Sequence, residues 1–213
     1  MFKSEDLEIF RKELGGKKKP FYFPITTIQK VYLIGQEYEE NTPRFLFYWL
    51  YLTGQRITEA LRTKKSDLEF VNENGKKTIV VNSITLKNRV KPFRIIPIPV
   101  YGEEEKMAKY VFKNIYYLKP KEKLFNFTRM TAWNYLSQVT INIPAILPNN
   151  REIINLDLRI YPHYLRHCRA THIAKKPNCT VSHLMQFFGW SRSNVANTYI
   201  SFNWRDLSKL FEK

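Results

Sequence analysis

A tyrosine near the end of the chain, preceded by arginines and a histidine, offers the groups needed to break and rejoin a phosphodiester bond. Tyr199 carries a phenol that can attack phosphorus. The guanidinium groups of Arg56 and Arg166, together with His163, can hold the charge that builds up on the phosphate oxygens. Because the broken bond is stored as a covalent link to the protein, this chemistry needs neither a metal ion nor ATP. The residue types therefore favour cofactor-free strand cleavage and rejoining.

The strongest cluster of these residues lies between positions 162 and 167. His163, Arg166 and His167 stand at i, i+3 and i+4, so one helix face can carry all three. Pro162 suits the first turn of such a helix. His163 and Arg166 would then bind the non-bridging oxygens of a phosphate, with His167 in support. The alternative is that the histidines pack in a core and Arg166 pairs with a carboxylate such as that of Asp157.

The same stretch raises a metal site as an alternative. His163, His167, His172 and Cys168 are side chains of the types that zinc accepts. However, Tyr164 follows His163, so the glutamate of a helical zinc-protease motif is absent. Cys168 also points away from the face that the first two histidines share. The sequence therefore predicts no metal site and no cofactor.

Arg56 and Glu59 form the second candidate pair. They stand at i and i+3, which makes them neighbours on one helix face. Arg56 would clamp a phosphate while Glu59 holds its guanidinium in position. An ordinary surface ion pair explains the same spacing.

Trp190 precedes Tyr199 by nine positions. An indole N–H can donate a hydrogen bond to a phosphate oxygen, but it cannot exchange a proton near neutral pH. We therefore expect Trp190 to act as a donor and a packing wall, not as an acid or a base. Taken alone, Tyr199 is more simply explained as one of 13 tyrosines packed on an amphipathic helix.

Three strings of residues resemble, in their order and spacing, the catalytic domain of the tyrosine recombinases, the phage-integrase family. They are Thr53-Gly54-Gln55-Arg56-Ile57-Thr58-Glu59, then Leu165-Arg166-His167 with Ala170-Thr171-His172, and last Gly189-Trp190 with Tyr199. The resemblance covers about residues 21–205. Trp190 departs from many members, which have histidine at this position, although some members use tryptophan.

This resemblance implies a site-specific recombinase or integrase. Tyr199 would attack the scissile phosphate and form a 3′-phosphotyrosyl link with a free 5′-hydroxyl. Arg56, His163 and Arg166 would stabilise the pentacoordinate phosphorus. A second 5′-hydroxyl would reverse the step, so that no nucleotide is consumed.

The family also places a lysine in a β-hairpin, where it protonates the departing 5′ oxygen. Counting back from Arg94 favours Lys87 for this role, with Lys91 in reserve. Both lysines are suited to general phosphate contacts on a basic loop as well. Arg89, Lys91 and Arg94 are the predicted DNA contacts.

The overall charge favours a polyanionic partner. The 213 residues include 35 Lys and Arg against 19 Asp and Glu, a net charge of +16. Such a surplus suits phosphate contacts that release counterions, and double-stranded DNA is the partner we predict. An RNA-binding protein, or simply a solvated basic surface, gives the same balance.

The sequence contains few features that indicate a cellular compartment. The two cysteines, Cys168 and Cys179, are too few for a secreted disulfide scaffold. The longest apolar run, residues 45–52, is too short for a bilayer, which needs about 20 residues. We therefore predict no membrane association and a cytoplasmic protein. The family resemblance further implies a prokaryotic or viral origin and action at the host nucleoid.

The pattern along the chain predicts a mostly helical α+β domain with one small antiparallel three-stranded sheet. Helices are expected over 25–40 and 42–52 and again after Gln55. The remainder beyond residue 100 is expected to be mostly helical, with loops at 119–120, 144–150 and 176–178. Strands are expected over 67–71, 78–81 and 93–98, with Pro97 and Pro99 ending the last one. Residues 1–20 are expected to form a flexible basic lead-in or linker, and residues 21–213 the catalytic domain.

Exchange between two duplexes needs four active sites, so the resemblance implies a homotetramer on DNA. Trp204, Leu207 and Leu210 on a terminal helix would suit docking onto a neighbouring protomer, or packing on their own core. Family members usually carry an N-terminal domain that clamps the far side of DNA, and residues 1–20 are too short to form it. The chain is then either a fragment of a longer integrase or a minimal member.

Two rival functions remain open from the sequence. A type IB topoisomerase-like enzyme uses the same tyrosine chemistry but rejoins the original strand, which relaxes DNA. The other rival is a catalytically inactive DNA-binding module, which the presence of Arg56, His163, Arg166 and Tyr199 disfavours.

Overall fold

The structure, a computed structural model, describes residues 19–85 and 93–200 of the chain. Within these residues the fold is a helix-dominated α+β domain with eight helices and two three-stranded antiparallel sheets. The helices are α1 (Ile28–Gln36), α2 (Asn41–Thr53), α3 (Ile57–Ala60), α4 (Glu105–Tyr116), α5 (Arg129–Leu136), α6 (Pro162–Ala174), α7 (Val181–Phe188) and α8 (Ser193–Asn197). The strands are β1 (Phe21–Tyr22), β2 (Leu68–Glu73), β3 (Lys76–Ile84), β4 (Phe93–Pro99), β5 (Thr140–Ile146) and β6 (Ile153–Arg159).

The longest apolar run of the sequence forms α2, the helix at the centre of the core. All seven side chains from Leu46 to Leu52 are 0% exposed, so α2 is buried around its whole circumference. It packs against α4, α5 and α6. Gly54 ends the helix in the left-handed conformation, with φ 56°. The predicted buried helix and its glycine stop are confirmed.

Helix α1 is shorter than the predicted helix over 25–40. Thr27 caps it by accepting a hydrogen bond from the Lys30 N–H at 3.2 Å, so the chain before Ile28 is extended. None of the described helices is long and apolar enough to cross a bilayer.

The sheet β2–β3–β4 matches the predicted three strands, with one difference in its last strand. Pro97 was expected to end that strand, but β4 continues through Pro97, which pairs with Val80, to Pro99. This is possible because β4 lies at the edge of the sheet, where a missing N–H need not interrupt a ladder.

The second sheet, β1–β5–β6, was not predicted. The expectation that the chain beyond residue 100 is mostly helical was wrong for residues 140–159, which form an antiparallel hairpin with Ile143 opposite Leu156. In β5 the buried Ile143 and Ala145 alternate with more exposed neighbours, a period of two that marks a half-buried strand. The predicted loop over 144–150 is therefore partly strand.

Candidate active site

Arg166 joins the ends of two helices at the centre of the site. Its Nη1 donates to the carbonyl of Gly54 just after α2, and its Nη2 donates to the carbonyl of Phe188 at 2.7 Å. Helix C-termini leave such carbonyls without intrahelical partners, and a cation there also matches the helix dipole. The predicted alternative partner, Asp157, instead accepts a hydrogen bond from Asn142 at 2.8 Å. Arg166 is thus buried, with 4% of its surface exposed, and forms no ion pair with a carboxylate among the described residues.

Arg56 and Glu59 form a pair at the start of α3. The predicted helix carrying Arg56 begins one residue later, so Arg56 is its N-cap. Glu59 Oε2 accepts from the Arg56 backbone N–H at 3.0 Å, and Oε1 pairs with Arg56 Nη1 at 2.9 Å. The Glu59 side chain is 0% exposed and that of Arg56 is 26% exposed. Glu59 therefore anchors a guanidinium that still reaches solvent.

Arg94 lies on the other side of the Glu59 carboxylate. Its Nη2 is 2.9 Å from Glu59 Oε2, and its Nη1 donates to the carbonyl of Phe187 at 2.5 Å. Only 5% of Arg94 is exposed, because alternate residues of β4 face the core. Arg94 was predicted to contact DNA, whereas here both of its terminal nitrogens are paired with protein acceptors.

Positive charge is concentrated at the site. Arg56, Arg94 and Arg166 carry three positive charges against one negative charge on Glu59, which leaves an excess of two. Burial, together with repulsion from Arg94 and Arg56, lowers the pKa of Arg166 to about 9. Burial also lowers the pKa of Arg94 to about 10. Both groups remain charged near neutral pH, and the site is suited to an anion.

A stack of aromatic rings connects Tyr199 to Arg166. The Tyr199 ring stacks on that of Trp190 at 5.4 Å and 11°, and Trp190 stacks on Phe188 at 4.7 Å and 18°. The Arg166 guanidinium lies 4.9 Å from the centre of the Phe188 ring and 5.6 Å from that of Trp190. Trp190 thus packs against both the phenol ring and the guanidinium.

The two predicted histidines occupy different positions. His167 Nδ1 is 3.2 Å from the Tyr199 hydroxyl oxygen, and the Phe21 ring packs edge-on against His167 at 5.5 Å. His163 is exposed on the first turn of α6. α6 thus carries Arg166 and His167 into the cluster and leaves His163 at its surface.

Three predicted site residues, Lys87, Arg89 and Lys91, lie outside the described residues. The ladder between β3 and β4 reaches Ile84 opposite Phe93, which are the last described pair on either side of this segment. Trp204, Leu207 and Leu210 also lie outside the described residues, as do residues 1–18.

The predicted zinc-ligand types do not converge. Cys168 is fully buried and accepts from the Ile25 N–H at 3.4 Å, while His172 Nε2 lies 2.6 Å from the carbonyl of Ile25. Across residues 19–85 and 93–200, no group of three or more His, Cys, Asp or Glu side chains could hold a metal ion.

Sequence reasoning missed the role of Gln55. Its Oε1 accepts from the Trp49 indole at 2.8 Å, and its Nε2 donates to Thr63 at 3.2 Å and to Ser83 at 2.9 Å. The buried amide thereby fixes the turn that presents Arg56. A polar residue directly after a helix-ending glycine was the available signal.

Sequence reasoning also missed a buried cluster of polar side chains, which consists of Tyr51, Glu104, Arg169 and His172. Arg169 Nη1 pairs with Glu104 Oε1 at 2.5 Å. Because a carbonyl can only accept, His172 Nε2 carries the proton that it donates to Ile25, and His172 Nδ1 accepts from the Tyr51 hydroxyl at 2.7 Å. Burial lowers the pKa of His172 to about 4, so this histidine is neutral.

Comparison with known proteins finds one matching family model and several solved structures with a similar fold. The model of the phage integrase family matches residues 29–204. The fold is similar to that of the XerH site-specific recombinase bound to difH substrate, with TM-score 0.58, 21% identity, and coverage of 92% of this chain and 56% of that one. It is also similar to the Tn1549 transposon integrase in complex with transposon right end DNA (TM-score 0.54, 17% identity, coverage 90% and 65%). The XerA recombinase gives TM-score 0.55, 16% identity, and coverage of 92% and 66%.

The chain therefore spans roughly half to two thirds of the length of these similar structures, and at these identities the likeness shows a shared fold. A search of the curated proteins finds no match.

Proposed function

Since the chain belongs to the phage integrase family, we propose that it is a site-specific recombinase that cleaves and rejoins DNA through a 3′-phosphotyrosyl intermediate. One observation carries this proposal. Tyr199 lies in one cluster with Arg166 and His167, beside the carbonyl ends of α2 and α7. A nucleophile, a base and a charge stabiliser within one cluster are the parts that the reaction needs.

In the cleavage step, the Tyr199 oxygen forms a bond to phosphorus as the bond from phosphorus to the 5′ oxygen breaks. His167 Nδ1 lies within the distance over which a base can accept the phenol proton. The departing 5′ oxygen takes a proton from Lys87, with Lys91 as the reserve donor. For rejoining, a 5′-hydroxyl attacks the phosphotyrosyl bond, its proton returns to the lysine, and the tyrosine recovers the proton from His167.

The arginines stabilise the charge on the pentacoordinate phosphorus. Arg56 reaches solvent while Glu59 fixes its orientation, so it can meet an incoming phosphate. Arg166 has five N–H donors, and its two backbone hydrogen bonds leave others for a phosphate oxygen. Exposed His163 would add a donor at the mouth of the site, and Trp190 would hold the phenol ring.

We propose double-stranded DNA as the partner and a homotetramer as the assembly that exchanges strands. The net charge of +16 supports a polyanion, and the similar XerH and Tn1549 proteins are bound to DNA in their structures. The segment after residue 200 is proposed to dock on a neighbouring protomer.

A strand-transfer assay distinguishes this function from that of a type IB topoisomerase. The covalent intermediate, trapped on a nicked duplex, would be offered an acceptor strand with a free 5′-hydroxyl, and a supercoiled plasmid would be tested in parallel. We expect joining to the new strand. Plasmid relaxation without transfer would instead indicate the topoisomerase, and DNA binding with neither product would indicate an inactive binding module.

A further inference from the structure

Arg94 occupies a position where an aliphatic side chain is expected. It faces the core from β4 in line with Ile96 and Ile98, both of which are 0% exposed. A buried guanidinium is costly unless it is paired and hydrogen-bonded. Its Nε makes no hydrogen bond with any described residue, so its two terminal nitrogens account for the pairing.

Those two nitrogens connect two separate elements of the site. Nη2 pairs with Glu59 of α3 at 2.9 Å, and Nη1 donates to the carbonyl of Phe187 in α7 at 2.5 Å. The planar fork of arginine can serve two acceptors at once, which the single ammonium group of lysine cannot do with the same geometry. Arg94 therefore connects strand β4 to both α3 and α7.

The ion pair between Arg94 and Glu59 affects the net charge around Arg56, which is proposed to bind the phosphate. Glu59 shares its two oxygens between Arg56 and Arg94, so its one negative charge serves two guanidiniums. Without Arg94, the single negative charge of Glu59 would cancel the single positive charge of Arg56. With Arg94 present, Arg56 is oriented by the carboxylate and the three groups together keep one positive charge.

The second connection holds the turn after α7. The carbonyl of Phe187 accepts from Arg94, and the next carbonyl, that of Phe188, accepts from Arg166. Gly189 follows with φ 64°, and a Cβ at this glycine would lie 3.2 Å from Arg94 Cδ. The aliphatic part and the guanidinium of Arg94 thus both pack against this turn.

We infer that Arg94 is a positioning residue, which acts through Glu59 to orient Arg56 and through Phe187 to hold the turn that presents Trp190. It does not touch DNA. Its assignment to the cleavage reaction rests on the proposed function, whereas its structural effect on these two segments does not.

Kinetics on two variants test the role in cleavage. The single-turnover rate of covalent adduct formation would be measured at saturating protein for Arg94→Met and Arg94→Lys. Arg159, exposed on β6, gives the matched control Arg159→Met. We expect a loss on the order of 10² for Arg94→Met, as for a small misplacement of reacting groups, a smaller loss for Arg94→Lys, and none for the control. Wild-type rates for both Arg94 variants would overturn the inference.

The salt dependence of DNA binding separates positioning from contact. If Arg94 bound a phosphate, its removal would lower the slope of log affinity against log salt by about one. We expect the slope of Arg94→Met to match that of wild type, because no phosphate contact is removed, while the dissociation constant rises as the site loses one positive charge. A reduced slope with an unchanged cleavage rate would restore Arg94 as a DNA contact.

Hydrogen exchange in the DNA-free protein tests the positioning without any need for activity. Amides of residues 54–60 and 184–190 should exchange faster in Arg94→Lys than in Arg159→Met, with the rest of the fold unchanged. Unchanged exchange in both segments would overturn the inference. A wild-type protein that forms no adduct would count against the proposed function alone, because this comparison would still decide the role of Arg94. If Arg94→Met does not fold, Arg94→Lys carries the kinetic and hydrogen-exchange comparisons, which do not require removal of the charge.

Discussion

At the scale of single residues, Arg166 has two tasks. It closes the carbonyl ends of α2 and α7, and it supplies positive charge beside Trp190 and Tyr199. A lysine could supply the charge but not the two directed hydrogen bonds.

Arg166→Ala is therefore expected to slow adduct formation by on the order of 10² or more, the usual cost of losing a preorganised charge stabiliser. Arg166→Lys should recover only part of the rate. Single-turnover kinetics on a nicked duplex would measure both variants, with Arg159→Ala as the exposed control. Undiminished cleavage by Arg166→Ala would contradict the assignment.

His167 is the described histidine next to the nucleophile, at 3.2 Å from the phenol oxygen. His167→Gln should slow cleavage by about 10² or more, in the range that general bases contribute, and should leave the dissociation constant for DNA unchanged. His183→Gln, at an exposed position on α7, is the matched control. Equal rates for the two variants would transfer the role of base to another group, with His163 the next candidate.

At the scale of elements, the site depends on helix ends meeting at close range. Gly54 ends α2 with φ 56°, and a Cβ there would overlap the ring of Phe188. Gly75 in the β2–β3 turn also has a positive φ, 77°, but has nothing within 4 Å of the position of a Cβ.

Both Gly54→Ala and Gly75→Ala should lose about 1 kcal/mol of unfolding free energy from the left-handed backbone. Gly54→Ala should lose more, because Phe188 and its hydrogen bond to Arg166 must move. Urea denaturation of the two variants would measure the difference. Equal losses would mean that the contact between α2 and α7 adapts at no cost.

The buried group around His172 makes the packing of α6 sensitive to acid. Its pKa is about 4 in the folded protein, against an ordinary value of 6.5. Between pH 6.5 and pH 4 the unfolded chain therefore binds more protons than the folded protein does. The contribution of His172 to the free energy of unfolding is fully present above pH 6.5 and decreases as the pH falls toward 4.

His172→Gln should remove part of this pH dependence, because glutamine can still donate to Ile25 and accept from Tyr51 without titrating. The wild type should lose up to about 1.4 kcal/mol more than the variant for each pH unit below 6.5. Urea midpoints at pH 7 and pH 5 would show this. A parallel loss in both proteins would assign the acid sensitivity between pH 7 and pH 5 to groups other than His172.

At the scale of the whole molecule, local patterns in the sequence predicted the elements, and side-chain types predicted the cluster. The buried run of α2, its stop at Gly54 and the strands β2 to β4 follow from apolar periodicity and turn residues. The hairpin of β5 and β6 was missed because β5 contains Pro144, which reads as a loop signal.

The connections of Arg94 could not be predicted for a different reason. Its partners Glu59 and Phe187 are 35 and 93 positions away in the chain, so only the fold brings them together. The same holds for Gln55 and Ser83, which are 28 positions apart. By contrast, Tyr199 and Trp190 were singled out through the family resemblance of three local strings of residues, which can be read from the sequence without knowledge of the fold.

The most direct test of the central claim is covalent adduct formation in EDTA, with wild type and Tyr199→Phe compared on a denaturing gel. The nicked duplex would come from the element's own attachment region or from a randomised pool. We predict a metal-independent adduct that disappears in Tyr199→Phe while DNA binding stays the same. An adduct that persists in Tyr199→Phe, or tight and salt-sensitive binding by wild type with no adduct, would contradict the assignment of Tyr199 as the nucleophile in this chain.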